Sequence, residues 1–220
     1  PLSFLYVHAR SIPINFIYIT HFCISLLMLL QVYYTKSKLL TWEMVLLSKA
    51  LLIIDVQHGF LKGYEELPER IAKVARKFLR NNDKVVAIQH IDEMEGSPIE
   101  FGTDGANIPD ILTDSADILI QKKFPISFKE TDLDNYLQEH RIKELFISGF
   151  NMEFCILFTS IAAADRGYEV TVIEDLCGSA NDGKTYEMND LDIVDFVGTV
   201  LDWSELVTNR YLEETEYNDD

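Results

Sequence analysis

The sequence predicts an α/β fold, a doubly wound and mainly parallel sheet with helices on both faces in a Rossmann-like three-layer arrangement. Two observations carry this. From Ala50 onward, short apolar runs rich in β-branched residues alternate with stretches of helical periodicity, at the spacing of successive βα units. The runs are apolar without alternating, as central strands covered on both faces are.

The elements follow in order. Ala50–Asp55 reads as the first strand. Pro68 opens a helix in which Ile71, Val74, Ala75, Phe78 and Leu79 recur on one side. Lys84–Gln89 is the second strand and Asp117–Gln121 the third. Thr131 caps a helix carrying Leu133, Tyr136 and Leu137. Glu144–Ser148 is the fourth strand, followed by a helix from about Glu153 to Asp165 that stops at Gly167. Tyr168–Asp175 is the fifth. Beyond it, Leu191–Leu201 reads as helical and the acidic tail Glu213–Asp220 as frayed. The connection Ile91–Ser115 is abnormally long and marked by Gly96, Pro98, Gly102, Gly105 and Pro109. It begins at the carboxyl end of a strand, where a loop of that length serves as a lid or pocket wall.

Residues 1–43 differ from the rest. Pro13 to Tyr34 holds 22 residues without Asp, Glu, Lys or Arg, long enough to cross a bilayer with its flanks. A membrane anchor, a signal peptide and sequence upstream of a natural start at Met44 all compete. We favour the last, which gives an apolar extension over 1–43 and a folded domain over 44–220.

Composition narrows the function. The chain has 220 residues, 48% hydrophobic and 25% charged, with a formal net charge of −17. That balance disfavours nucleic acid and anionic membrane surfaces as partners, leaving membrane attachment only if residues 13–34 anchor the chain. Cys23, Cys155 and Cys177 form no disulfide framework, so a reducing cytoplasm is the simplest location.

Three side chains close apolar runs in separate βα units: Asp55, Lys122 and Cys155. In parallel strands all three emerge at one sheet edge, where open α/β sheets bind ligands. An acid, a cation and a thiol gathered there have the parts of a nucleophilic hydrolase. Cys155 falls in the first turn of its helix, where the N-terminal partial charge favours thiolate and free N–H groups can hold an oxyanion. Each residue also has a plain reading: a buried cysteine, a turn aspartate, a surface lysine beside Lys123. His90 and Asp92 end the second strand at the same edge, but two ligands fall short of a metal cage. His90 reads better as a hydrogen-bonding pocket residue, Cys177 as packing near the cleft rim, and no cofactor is expected.

At these residues the chain resembles the isochorismatase-like cysteine hydrolase superfamily, from about Lys49 to Asn181. "ALLIIDVQHGF" resembles its first-strand motif and "KKFPISF" with "TDL" its lysine motif. "SGFNMEFCILFTSIAAADRGYEVTVIED" resembles its cysteine segment, while "QHIDEMEGSP" and "FGTDG" resemble the lid of the amidase-like branch. The resemblance implies an Asp55-Lys122-Cys155 triad. It implies a cis peptide at Phe150–Asn151 and an oxyanion hole from the N–H groups of Asn151 and Cys155. Phe60, His90, Phe128 and Phe150 would bind a small-molecule substrate, in a homo-oligomer. The implied reaction cleaves a C–N bond of a small amide, carbamoyl or imide group through an acyl-enzyme. Nicotinamidase activity and a silent binding or oligomerisation module are the alternatives. Three departures bear on these. Met152 stands where many relatives have Thr. His90-Ile91-Asp92 reverses the Asp-x-His metal motif of nicotinamidases. Cys155 stands where true isochorismatases lack the nucleophile.

Overall fold

The computed structural model describes residues 48–218, so the apolar N-terminal extension lies outside the described residues. Six strands form one sheet: β1 (Ser48–Ile54), β2 (Lys84–His90), β3 (Ile118–Lys122), β4 (Ile142–Gly149), β5 (Glu169–Cys177) and β6 (Thr208–Arg210). Their order is β3-β2-β1-β4-β5-β6, and every neighbouring pair is parallel. The order reverses between β1 and β4, the switch point at which doubly wound sheets open a crevice.

Both faces of β1 are covered, which is why its sequence does not alternate. Ala50, Leu52 and Ile54 enter one core with α3 (Leu133–Glu139), α4 (Leu157–Asp165) and α5 (Ile193–Trp203). Leu51 and Ile53 enter the other with α1 (Leu67–Arg80) and the short α2 (Asp110–Thr113). In α1, Ile71, Val74, Ala75 and Phe78 face the core as the periodicity predicts. Leu79 does not; it is turned to solvent. Thr131 lies just ahead of α3, where its hydroxyl accepts the Leu133 N–H at 3.3 Å and donates to Ser127 O at 2.6 Å.

Two expectations are corrected. The stretch following β5 adds a short parallel strand, β6, whose three residues Thr-Asn-Arg carry no apolar signal. The acidic tail does not fray over the described residues. Tyr217 is fully buried, stacked 3.7 Å from Phe78 and edge-on to Phe146 at 5.0 Å, and its hydroxyl donates to Asp83 at 3.1 Å. The lid Ile91–Ser115 is pinned at several points, while residues 93–96 and 101–104 stay exposed. Ile99, Ala106 and Ile108 are buried, and the Ala106 carbonyl accepts the side-chain amides of both Gln57 and Gln89 at 2.8 Å.

Candidate active site

Asp55, Lys122 and Cys155 meet in space. Asp55 leaves β1 with φ 53, a left-handed conformation that aspartate tolerates better than most residues, and its N–H donates to Ile88 O at 2.8 Å. Lys122 ends β3 in register with His90 of β2. Cys155 arrives by a closer route. Gly149 ends β4 with φ 118, and a Cβ there would lie 2.0 Å from Ile54 O, so only glycine lets β4 pass so near the end of β1. The peptide bond Phe150–Asn151 is cis, as the resemblance implies.

The chain then enters a π-helical turn, Met152–Ile156, which runs on into α4. The sequence reading placed Cys155 in an ordinary first α-turn; the difference matters. The Asn151 carbonyl accepts from Phe154 N at 3.0 Å and Ile156 N at 3.2 Å, three and five residues on. Cys155 sits between those two donors. Wide turns of this kind are common at functional sites.

Lys122 Nζ stands at the centre. It lies 2.6 Å from Asp55 Oδ2, 3.2 Å from Cys155 Sγ and 3.1 Å from His90 Nδ1. An ammonium has three N–H bonds and no acceptor, so these three partners satisfy it and make His90 Nδ1 an acceptor. The imidazole proton therefore sits on Nε2. Burial, then the Lys122 charge, holds His90 below its ordinary value, which keeps the ring neutral. Burial alone would lower Lys122, but the Asp55 and Cys155 partners outweigh it and hold the ammonium above its ordinary value.

The surroundings of the Cys155 thiol oppose charge on its sulfur. Burial first, then the Asp55 charge, pushes Cys155 up, and Lys122 offsets only part of this. That direction favours the thiol over a thiolate stabilised by a helix end alone. Asp55 Oδ1 is buried without a hydrogen-bond partner, which leaves that oxygen able to take a proton. Asp55, His90 and Cys155 each offer a ligand atom within 4.8 Å of the others, as metal ligands do. Lys122 Nζ already bonds to all three, so a lysine cation fills the place a metal ion would take.

The remaining predicted site residues divide. His90 is partly buried and held from behind by Gln57, whose Nε2 donates to His90 O and whose Oε1 accepts His90 N–H, both at 3.0 Å. Phe150 is wholly buried between Phe60 (6.0 Å) and Tyr64 (5.0 Å, edge-on), so it packs behind the nucleophile turn instead of facing substrate. Phe60 is half-buried against it. Phe128 is also a packing residue, stacked on Tyr168 at 6.0 Å with the Arg166 guanidinium 4.6 Å from its ring. The aromatic of that segment that borders a cavity is Phe124. With Ile91, Glu93, Phe101, Lys122 and Lys123 it lines a cavity of about 470 Å³. Cys177 is buried in packing, as read. Gln57 and Glu153 were missed, the first legible only as a polar residue two places after Asp55.

The model of the isochorismatase domain matches residues 49–205. The chain belongs to the isochorismatase family. Within the family it is 32% identical over 144 residues to the family protein YddQ of Bacillus subtilis, spanning 60% of this chain and 79% of that one. A stretch of 49 residues is 41% identical to nicotinamidase of Saccharomyces cerevisiae, 22% of this chain and 23% of that one. N-carbamoylsarcosine amidase of Thermoplasma acidophilum superposes with a TM-score of 0.63 over 77% of this chain and 99% of that one. At 21% identity that likeness is one of fold. The protein is an isochorismatase-family hydrolase. Among the described residues no helix is long and apolar enough to cross a membrane.

Proposed function

We propose that this hydrolase cleaves a C–N bond of a small amide, carbamoyl or imide substrate through a covalent thioester on Cys155. The observation that carries the reading is the buried ammonium of Lys122, bonded at once to an acid and a thiol. Asp55 takes the thiol proton as the sulfur attacks the carbonyl carbon. Lys122 stabilises the thiolate character that develops, in a site dry enough for charge to count. The N–H groups of Asn151 and Cys155 receive the oxyanion. As the tetrahedral intermediate collapses, the C–N bond breaks and protonated Asp55 returns its proton to the leaving nitrogen. Water, deprotonated by Asp55, then attacks the thioester; the acid leaves and the sulfur recovers the proton.

The local likeness to a nicotinamidase supports a second reading, hydrolysis of nicotinamide itself. The residues after β2 favour the first. Among the described residues, Asp92 does not join His90 in a group of converging ligand atoms, and its Oδ1 instead accepts Met94 N–H at 2.9 Å. Among the described residues Cys155 and Cys177 are free thiols, which suits the reducing cytoplasm proposed as its location.

The test is a panel of small amides, carbamoyl compounds, cyclic imides and nicotinamide, read as released ammonia or amine. Cys155→Ala is expected to lower turnover by at least about a thousandfold with an unchanged circular dichroism spectrum. An unaffected rate overturns the reading. Turnover confined to nicotinamide and abolished by a chelator favours the second one.

A further inference from the structure

The loop following β5 carries no part of the chemistry above, yet it is stitched to the nucleophile turn on both sides of Met152. Ahead of it, Asn151 Oδ1 accepts Ala180 N–H at 2.7 Å; Met152 N–H itself donates to Gly178 O at 2.9 Å. Behind it, a single oxygen of Glu153, Oε1, accepts from Ser179 Oγ at 2.9 Å, Asn181 Nδ2 at 2.9 Å and Tyr186 OH at 3.1 Å. Its other oxygen, Oε2, is buried and has no partner. The carboxylate therefore spends its bonding capacity on one loop. Glu153 lies two residues before Cys155 and two after Asn151, the residues assigned the nucleophile and an oxyanion N–H.

That loop is rigid on its own account. A Cβ on Gly178 would lie 2.5 Å from the Phe150 ring and 2.8 Å from Tyr64, so the chain leaves β5 pressed against aromatic packing. Ser179 N–H donates to Tyr64 OH at 3.2 Å. Asp182 then caps the turn Gly183–Tyr186, its Oδ1 accepting Lys184 N–H at 3.1 Å and Thr185 N–H at 3.2 Å. Met188 N–H closes the turn onto Gly183 O at 2.8 Å. A carboxylate bonded three times to such a loop cannot shift without moving it. A wide π-turn, by contrast, has fewer bonds of its own to fix its first residues.

We propose that Glu153 is a positioning residue: its carboxylate, held by Ser179, Asn181 and Tyr186, locks the π-turn so that Cys155 Sγ and the Asn151 N–H face one carbonyl group. The inference rests on Cys155 being the nucleophile. Displacement of a reacting atom by about 1 Å can cost a hundredfold in rate, so loosening the turn slows acylation while leaving substrate binding in the cleft alone.

The experiment uses p-nitrophenyl acetate as acylating probe on the full chain, following the burst of p-nitrophenolate, with Cys155→Ala as the reference. Glu153→Ala is expected to slow acylation by about tenfold or more, with KM within about twofold. Glu153→Gln, which keeps an acceptor oxygen for the loop, is expected to recover part of that loss. Ser179→Ala and Tyr186→Phe are each expected to slow acylation by a smaller factor. Neither adds to the loss in a Glu153→Ala background, because both act through the carboxylate. Should Glu153→Ala fail to fold, Tyr186→Phe decides, since it removes one hydroxyl from a partly exposed ring. Parent-like acylation in Glu153→Ala, with at most a lowered melting temperature, overturns the inference and leaves the nucleophile reading standing. So do losses that add independently. A burst that persists in Cys155→Ala overturns the nucleophile reading, and this inference with it.

Discussion

At the scale of single residues, the site is an ionic triangle whose members pull the thiol in opposite directions. Asp55 and burial raise Cys155, whereas Lys122 lowers it. Opposite substitutions should therefore have opposite signs. Asp55→Asn is expected to move the pH profile of Cys155 alkylation downward while removing the proton acceptor and with it turnover. Lys122→Met is expected to move the profile upward. It should also destabilise the fold by about 3–5 kcal/mol, because it strands a buried carboxylate. Mass-resolved labelling with iodoacetamide, with buried Cys177 as internal control, checks both; shifts in the same direction would contradict the triangle. These three residues were legible because each ends an apolar run. His90 was legible as a polar residue at the same edge, though not its role as third acceptor for Lys122. The aromatic residues were the hardest to read, because a phenylalanine beside a motif looks the same whether it lines a cavity, as Phe124 does, or packs in the core, as Phe128 and Phe150 do.

At the scale of elements, sheet and helices were readable from periodicity, and what escaped was made by side-chain hydrogen bonds. The segment after Lys122 is held by Thr159 of α4, whose Oγ1 accepts Ser127 N–H at 3.0 Å and contacts Ser127 Oγ at 3.0 Å. Thr159→Val keeps the shape and removes the hydroxyl, leaving both Ser127 groups buried and unpaired. The expected cost is about 1–3 kcal/mol, read as a lower urea midpoint, with a fall in activity as the chain beyond Lys122 loosens. The π-turn escaped for a related reason: no local residue pattern separates an i−5 bond from an i−4 bond. Lid docking through Gln57 and Gln89 joins residues about 17 to 49 positions from Ala106, beyond any local pattern.

At the scale of the whole molecule, the carboxyl-terminal tail completes the α1 face of the sheet. Its acidic composition masked one aromatic. Tyr217→Ala is expected to cost about 3–5 kcal/mol, as loss of a large buried ring does, whereas Tyr217→Phe gives up only the bond to Asp83, about 1 kcal/mol. Denaturant midpoints of the two variants separate these. Tyrosines also set an alkaline limit. Burial, with Asp117 and Glu139, pushes Tyr136 up to about 12. Burial together with Asp134 raises Tyr168, and burial together with Asp83 raises Tyr217. In the unfolded chain tyrosine loses its proton near about 10. The stabilisation is therefore complete below that pH and is lost as the pH climbs through the folded values. The raised thiols of Cys155 and Cys177 act the same way from their unfolded value of about 8.5. Urea midpoints should therefore be flat from neutral pH to about pH 8 and fall most steeply beyond about pH 10; a flat profile to pH 12 would contradict this.

The triangle takes its corners from three βα units, Asp55 just past β1, Lys122 at the end of β3 and Cys155 in the π-turn beyond β4, and β3 is a five-residue edge strand paired to β2. Edge segments open more readily than the strands they flank. When β3 peels away it carries the ammonium with it, while β1 and β4 remain seated in the middle of the sheet. Heat inactivation of the enzyme should thus run ahead of melting, reversibly, at temperatures where the helical signal is still intact.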